Sequence, residues 1–276
     1  MSDLITISDL VVDFDTKRGI LHAVRGVSLN IAAGESVGIV GESGSGKTVF
    51  SRATMGLLRG RKVHRTGKII FEGTDLRTLD NEQVREYWGT KIAMVFQDPM
   101  TALNPVRRIG SQMTESLVKR LGMSKEDAKK RAIELLSQVR LPEPELALHK
   151  YPHQLSGGMR QRVMIAMSIA CNPKLLFADE PTTALDVTVQ AQVLELLADL
   201  RRDMGMAMVI VTHDLGVVAG YTDRIAVMYG GEIVELATTT DTVASESLLS
   251  NAFVTVYDAN LSLTTVGWND YNLLSE

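Results

Sequence analysis

Apolar and polar residues alternate along positions 4–14 and again along 22–31, on either side of the polar stretch Thr16-Lys17-Arg18-Gly19. Side chains two positions apart share one face of a strand, so the pattern predicts two antiparallel strands joined by a turn. Ser-Val-Gly-Ile-Val at 36–40 is a short apolar strand that runs straight into a glycine-rich loop. A helix is expected from about Gly46 to about Leu58, and strands at 68–73 and 91–96. From about 106 to 150 the chain becomes charged and helical in pattern. Residues 124–140 form an amphipathic helix with Ser124 as N-cap and Asp127 in the first turn, and Pro142 and Pro144 stop it. The apolar run at 163–167 fits a buried helix, and 174–178 a buried strand. A helix at 187–203, a strand at 207–211, a short helix from 214 and a strand near 224–229 follow. Strands alternating with helices imply an α/β fold whose largely parallel sheet is covered on both faces.

Composition narrows this little. With 276 residues, 45% of them hydrophobic, the chain can build a sizeable core. A net charge of −4 argues against a general nucleic-acid binder. The charge is uneven: the last Lys or Arg is Arg224, and residues 1–224 carry 29 basic against 26 acidic side chains, a net of +3. The single cysteine, Cys171, suits a reducing compartment. The first residues lack the basic start and apolar core of a secretion signal, and no apolar run approaches a membrane span, so a soluble protein is expected, with docking on a membrane partner left open.

Four short motifs carry chemistry. Gly-Glu-Ser-Gly-Ser-Gly-Lys-Thr at 41–48 satisfies the phosphate-loop pattern in full. Gly41, Gly44 and Gly46 let the backbone curl so that successive N–H groups, through Glu42, Ser43, Ser45 and on to Val49, surround phosphate oxygens at a helix start. Lys47 can reach the β- and γ-phosphates, and Thr48 can ligate Mg²⁺. In Leu-Leu-Phe-Ala-Asp-Glu (175–180), four apolar residues place Asp179 at the end of a buried strand, where it can hold Mg²⁺, and Glu180 can act as general base toward water. Gln97 and His213 each follow a further apolar strand. The Gln97 amide can contact Mg²⁺ and water or be a plain loop residue. The His213 imidazole can donate to a γ-phosphate or cap the next helix. Finally, Ser156-Gly157-Gly158 permits close backbone approach at a helix N-terminus, either capping its own helix or donating to a phosphate.

In this order — phosphate loop, Gln97, Leu-Ser-Gly-Gly-Met, Leu-Leu-Phe-Ala-Asp-Glu, Ala-Leu-Asp (184–186), His213 — the set resembles the ATP-binding-cassette (ABC) ATPases over roughly residues 1–235. The resemblance implies a P-loop NTPase core with an N-terminal antiparallel β-subdomain and a helical subdomain inserted at about 98–160. It implies ATP and Mg²⁺ as ligands, Glu180, His213 and Lys47 in catalysis, and Thr48, Gln97 and Asp179 at the metal. Two subunits would pack head to tail, so that Ser156, Gly157 and Gly158 cover the partner's ATP and Leu185 and Asp186 lie near the seam. Phe14 occupies the position of the aromatic that stacks on adenine, with a core role as the alternative. The stretches 41–48, 95–105, 151–170 and 14–29 look like the ATPase subunits of oligopeptide, dipeptide and nickel importers. That implies two integral-membrane permeases, an external solute-binding protein reached through them, no nucleic-acid partner, and a place on the cytoplasmic face of the inner membrane. The rival readings are a non-transport ABC ATPase and a regulatory nucleotide-binding module.

The resemblance breaks near Glu235–Leu236. Members of the importer group usually continue into a proline-containing stretch and often a cysteine cluster. Here no proline follows Pro181, no histidine follows His213, and Cys171 stands alone. Residues 236–276 are therefore expected to be an atypical tail, from frame disruption, recombination or truncation, and to pack poorly.

Overall fold

The computed structural model describes residues 3–183 and 185–239, with two further strands at 254–257 and 263–266. Strands β1 (Asp3–Thr16) and β2 (Gly19–Ala32) form the expected antiparallel pair, and β3 (Ser36–Val40) leads into the phosphate loop and α1 (Lys47–Thr54). Helix α1 stops earlier than the predicted Leu58. Gly56 adopts φ +71°, a left-handed turn that breaks the helical hydrogen-bond register. Strand β4 (Val63–Phe71) begins five residues before the predicted Lys68, and β5 (Thr74–Asp75), α2 (Asn81–Tyr87) and β6 (Ile92–Val95) follow. Helix α2 is set by a capping box: the Asp80 carboxylate accepts from the backbone of Glu82 and Gln83, and Gln83 accepts in return from the Asp80 N–H.

Four helices come next: α3 (Pro99–Ala102), α4 (Ile109–Leu121), α5 (Lys125–Gln138) and α6 (Pro144–Ala147). Ser124 caps α5 as its position predicts, its hydroxyl accepting from the Asp127 N–H. Helix α7 (Gly157–Ile169) then leads back to β7 (Leu175–Asp179), α8 (Val187–Met204), β8 (Ala207–Thr212), α9 (Leu215–Ala219), β9 (Arg224–Tyr229) and β10 (Glu232–Thr238). The two outlying strands, β11 (Val254–Tyr257) and β12 (Leu263–Val266), pair with each other.

Two sheets carry the architecture. The antiparallel one has the order β2-β1-β4-β5; the main one has the order β10-β9-β3-β8-β7-β6, with β9, β3, β8, β7 and β6 parallel and β10 antiparallel at the edge. The parallel strands of the main sheet are buried on both faces, which explains why they read as continuous apolar runs rather than alternating ones. Along β7, Leu175 and Phe177 pack with β1, β2 and α1, while Leu176 and Ala178 pack with α4, α5, α7 and α8. Along β8, Val209 and Val211 face the first layer and Met208 and Ile210 the second. Such complete burial is worth about 1.5–3 kcal/mol for each large side chain.

Strand β10 runs through the point where family-typical sequence was expected to end, and Thr239 N donates to Asp223 O just beyond it. Antiparallel pairing with β9 extends the regular structure to Thr238 because backbone hydrogen bonds need no particular side chains. The expected looseness of the rest of the tail lies outside the described residues. Among the described residues no helix is long and apolar enough to cross a membrane.

Candidate active site

In a parallel sheet every strand delivers its following loop to the same edge, the one at the carboxyl ends. The loops after β3, β6, β7 and β8 bring together the phosphate loop, Gln97, Asp179 with Glu180, and His213. Strand β3 lies between β8 and β9 at the centre of the sheet. Residues more than 160 positions apart in sequence therefore meet at its end.

The phosphate loop is shaped by steric necessity. A Cβ on Gly41 would lie 2.1 Å from the Met228 carbonyl oxygen, and one on Gly46 would lie 2.3 Å from the Ala23 carbonyl oxygen, with Gly46 at φ +102°. Only hydrogen fits at either place. The Glu42 carbonyl accepts from Ser45 N, closing the loop, and Gly231 N donates to Ser45 O, tying the loop to the turn between β9 and β10. Lys47 is buried, and its ammonium donates to the carbonyls of Gly41 at 2.6 Å and Glu42 at 2.7 Å. Burial holds the Lys47 pKa below the usual lysine range, against the opposing pull of Glu180, Asp179 and Glu42.

Thr48, on the first turn of α1, donates its hydroxyl to Asp179 Oδ1 at 2.9 Å. Asp179 is fully buried, and its other oxygen, Oδ2, has no hydrogen-bond partner. Burial raises the Asp179 pKa, the Thr48 hydrogen bond and Arg52 acting in the opposite direction. An orphaned carboxylate oxygen beside a hydroxyl fits a hard divalent cation. Mg²⁺ is commonly held by one or two protein oxygens together with substrate phosphates. Thr48 and Asp179 could supply such a partial shell, and the Gln97 amide, which donates to Glu180, is the third candidate. The Ser45 hydroxyl is likewise buried without a partner.

Glu180 sits one residue beyond β7 with φ +45°, a conformation that costs a non-glycine residue on the order of 1–3 kcal/mol. The strain turns its side chain out of the sheet toward Gln97, whose Nε2 donates to Glu180 Oε2 at 2.6 Å, and toward His213, whose Nδ1 lies 3.5 Å from Oε1. Glu180, Gln97 and His213, three of the residues predicted from separate strand ends, thus form one cluster.

A cleft of about 450 Å³ joins these parts; Phe14, Ser43, Gly44, Lys47, Thr48, Val49, Gln97 and Glu180 all line it. Phe14 is partly buried: it lines the cleft and also packs against the core beside it. Sequence reasoning did not single out Leu21, His22, Ala23, Gly230 and Gly231, which also line the cleft. The Gly230-Gly231 pair between two strands was the available signal: both glycines have positive φ, as a tight hairpin turn requires.

Ser156, Gly157, Gly158 and Asp186 do not line this cleft. The Ser156 hydroxyl accepts from Met159 N at 3.3 Å and so caps α7, and the Asp186 carboxylate accepts from Val189 N at 3.0 Å and caps α8. A Cβ on Gly158 would meet Val189 Cγ1 at 3.0 Å, and one on Gly157 would lie 3.7 Å from Leu185. The second glycine-containing stretch therefore serves the contact between α7 and α8 within its own chain, and its N-terminal end faces outward, with Ser156 and Gly157 exposed.

Comparison with known proteins agrees with this geometry. The profile of the ABC transporter family matches residues 24–183. The oligopeptide transport ATP-binding protein OppD of Bacillus subtilis is 52% identical over 236 residues, 85% of this chain and 66% of that protein. The dipeptide transport ATP-binding protein DppD of Bacillus subtilis is 48% identical over 242 residues, 87% of this chain and 72% of the relative, and its Haemophilus influenzae namesake 51% over 238 residues, 86% and 72%. The chain thus spans about two thirds of the length of these relatives. Among solved structures, a dimeric ATP-binding cassette in a post-hydrolysis state, bound to ADP and Pi, superposes with a TM-score of 0.76 at 31% identity, covering 85% of this chain and 98% of that one. The cbiO1 component of a Clostridium perfringens ABC transporter complex gives 0.74 at 26%, covering 90% and 94%. A glycine cradle closed by Lys47, an unsatisfied buried carboxylate against Thr48 and a sequence matched along most of its length leave one assignment: the chain belongs to the ABC transporter family.

Proposed function

We propose that this chain is the ATP-hydrolysing subunit of a peptide importer. The observation that carries the reading is the Thr48–Asp179–Glu180 arrangement: a hydroxyl at the start of α1 and an orphaned carboxylate oxygen at the end of β7, with a second carboxylate turned out beside them. The peptide class is supported by the relatives at about half identity, which are oligopeptide and dipeptide transport ATP-binding proteins.

The residues divide the work as follows. Backbone N–H groups of 43–49 and the start of α1 hold the phosphates, and the Lys47 ammonium leaves the carbonyls of Gly41 and Glu42 to reach them. Phe14 offers its ring to the adenine. Thr48, Asp179 and Gln97 would hold Mg²⁺, which when bound neutralises charge on the phosphate oxygens. Glu180 takes the proton of the attacking water, and His213 stabilises the terminal phosphate as charge develops. Ser156 and Gly157, which are exposed, together with the adjoining Gly158, lie outside the cleft of their own chain and close the partner subunit's cleft in a head-to-tail dimer, with Asp186 near the seam.

Residues of about 98–160 form the helical subdomain that faces the permeases. An apolar pocket of about 270 Å³, lined by Met55, Trp88, Met94, Phe96, Met164 and Met167, is the place where it meets the sheet and where a permease segment docks. The complex would hold a second ATPase subunit and two integral-membrane permeases, would be fed by an external solute-binding protein, and would place this chain on the cytoplasmic face of the membrane. The ATPase domain runs to about Thr238 rather than to the expected 235, because β10 pairs with β9 up to that residue.

Phosphate release from MgATP by the purified chain, alone and reconstituted with its permeases, tests the reading. Glu180→Gln is expected to bind ATP with turnover reduced on the order of a hundredfold or more, as loss of a general base predicts. Turnover near that of the unaltered chain removes Glu180 from the role.

A further inference from the structure

The two oxygens of Glu180 are not equivalent. Oε1 lies 3.5 Å from the His213 ring nitrogen and, among the described residues, accepts no hydrogen bond. Oε2 accepts two hydrogen bonds, from Gln97 Nε2 at 2.6 Å and from the Thr183 hydroxyl at 2.9 Å. Gln97 reaches Glu180 from the end of another strand, whereas Thr183 belongs to the same turn. Thr183 N donates to the Glu180 carbonyl at 3.2 Å, closing a four-residue turn with Pro181 at its second position. Proline fixes φ there, so the turn is stiff. Thr183 is thus bound to Glu180 twice, once through the backbone and once through the side chain, on a residue whose own φ of +45° is strained. A strained residue at the end of a strand keeps its orientation only if its surroundings over-determine it.

We propose that Thr183 is a positioning residue for hydrolysis, its hydroxyl holding Glu180 Oε2 so that Oε1 is the oxygen left free to accept the proton of the attacking water. The proposal rests on Glu180 being the general base. Two donors on Oε2 lock the carboxylate plane, which leaves Oε1 aimed at the side where His213 stands. Because Thr183 travels with the same turn, its hold on Glu180 persists when Gln97 is drawn to another partner. The hydroxyl does not touch substrate; it acts through the carboxylate. A methyl group in its place removes the donor while keeping the branched shape.

Steady-state hydrolysis of MgATP by the full chain separates positioning from bulk structure. Thr183→Val is expected to lower kcat on the order of tenfold, the scale of one hydrogen bond to a charged group, with the KM for ATP within about twofold. Thr183→Ser, which keeps the donor, is expected to restore kcat. In a Glu180→Gln background, Thr183→Val is expected to add no further loss, because the group through which it acts is already gone. A kcat for Thr183→Val equal to that of the unaltered chain, a loss seen in KM alone, failure of serine to rescue, or losses that multiply in the double variant would each overturn the proposal. A crystal structure of Thr183→Val supplies a readout without turnover: a Glu180 carboxylate unmoved from its place also overturns it. If Glu180→Gln itself hydrolyses ATP normally, the assignment of the base fails; if Glu180→Gln is inactive and Thr183→Val is not, only the positioning role fails.

Discussion

Replacing Asp179 with asparagine separates what the residue does for the ligand from what it does for the fold. The carboxylate is fully buried, one oxygen bonded to Thr48 and the other without a partner. Taking such an ion out of water costs several kcal/mol, partly offset by Lys47 and Arg52. Asparagine has the same shape and keeps an acceptor for Thr48, but an amide N–H₂ at the Oδ2 position lacks an acceptor, a cost of about 1–3 kcal/mol. The two effects nearly balance. Asp179→Asn is therefore expected to leave the ligand-free protein as stable or up to about 2 kcal/mol more so, which is roughly 0–8 °C in Tm for a chain of this size.

The difference depends on pH with a definite sign. Burial raises the Asp179 pKa above its unfolded value, so its contribution to stability is full below the unfolded value and is lost as pH rises through the folded one. Asparagine does not titrate, so the variant gains on the unaltered protein as pH rises from the carboxylate range toward neutrality. MgATP reverses the ranking. At a ligand concentration a hundredfold above Kd the unaltered chain gains about 2.7 kcal/mol, or roughly 5–10 °C. If Asp179 holds the metal as proposed, the variant should show only the shift that ATP gives in the presence of a chelator. Scanning calorimetry with and without MgATP at several pH values reads all three effects. A ligand-free Tm more than about 8 °C below that of the unaltered chain, or an undiminished MgATP shift, refutes the reasoning.

Three further expectations follow from the same geometry. Lys47→Ala should weaken ATP binding by at least about tenfold in a filter or fluorescence assay, since charge-assisted hydrogen bonds are worth about 1.5–3 kcal/mol; because burial lowers the Lys47 pKa, binding to the unaltered chain should begin to weaken with rising pH before an exposed lysine would titrate, and a flat profile up to that range counts against the assignment. Gly46→Ala forces a Cβ to within 2.3 Å of the Ala23 carbonyl at φ +102°, so overpacking and backbone strain together should cost about 2–5 kcal/mol and lower Tm by roughly 5–15 °C, an effect excluded by a melt within about 2 °C of the unaltered chain. Ser156→Arg and Lys47→Ala should each be inactive alone, yet an equal mixture should recover roughly a quarter of full activity, because a random heterodimer keeps one intact composite site of two; no recovery argues against head-to-tail pairing.

Some of this was legible in the linear chain. The phosphate loop could be located because its constraints are local: glycines at fixed offsets, a strand before, a helix after. Helix α5 was legible for the same reason, with Ser124 reading directly as its cap. The strands at 36–40, 174–178 and 207–211 were visible because burial on both faces makes them near-continuous apolar runs, broken only by Ser36 and Lys174 at their starts. Boundaries were less legible. Nothing before Gly56 signals that α1 ends at Thr54 rather than Leu58, since the chain there is apolar and helix-compatible. Strand β10 reads weakly because its exposed alternation holds Val234 and Leu236 on the outward face, where polar residues are usual for an edge.

The sequence by itself determined which groups this protein possesses for phosphate and metal chemistry and the order in which they occur, because hydrophobic period, turn residues and motif spacing all act over a few residues. Only the tertiary structure decided which of them meet. Parallel strand order puts Gln97, Glu180 and His213 in one cluster and Thr48 against Asp179, and it leaves Ser156 and Gly157 outside the cleft of their own chain. It also placed the Thr183 hydroxyl on Glu180 and the Gly230-Gly231 turn at the cleft, residues unremarkable in a list. The physical reason is one of range: propensity and spacing are written into neighbouring residues, whereas the hydrogen bonds that orient a carboxylate are made between strand ends that adjoin only after the sheet has formed.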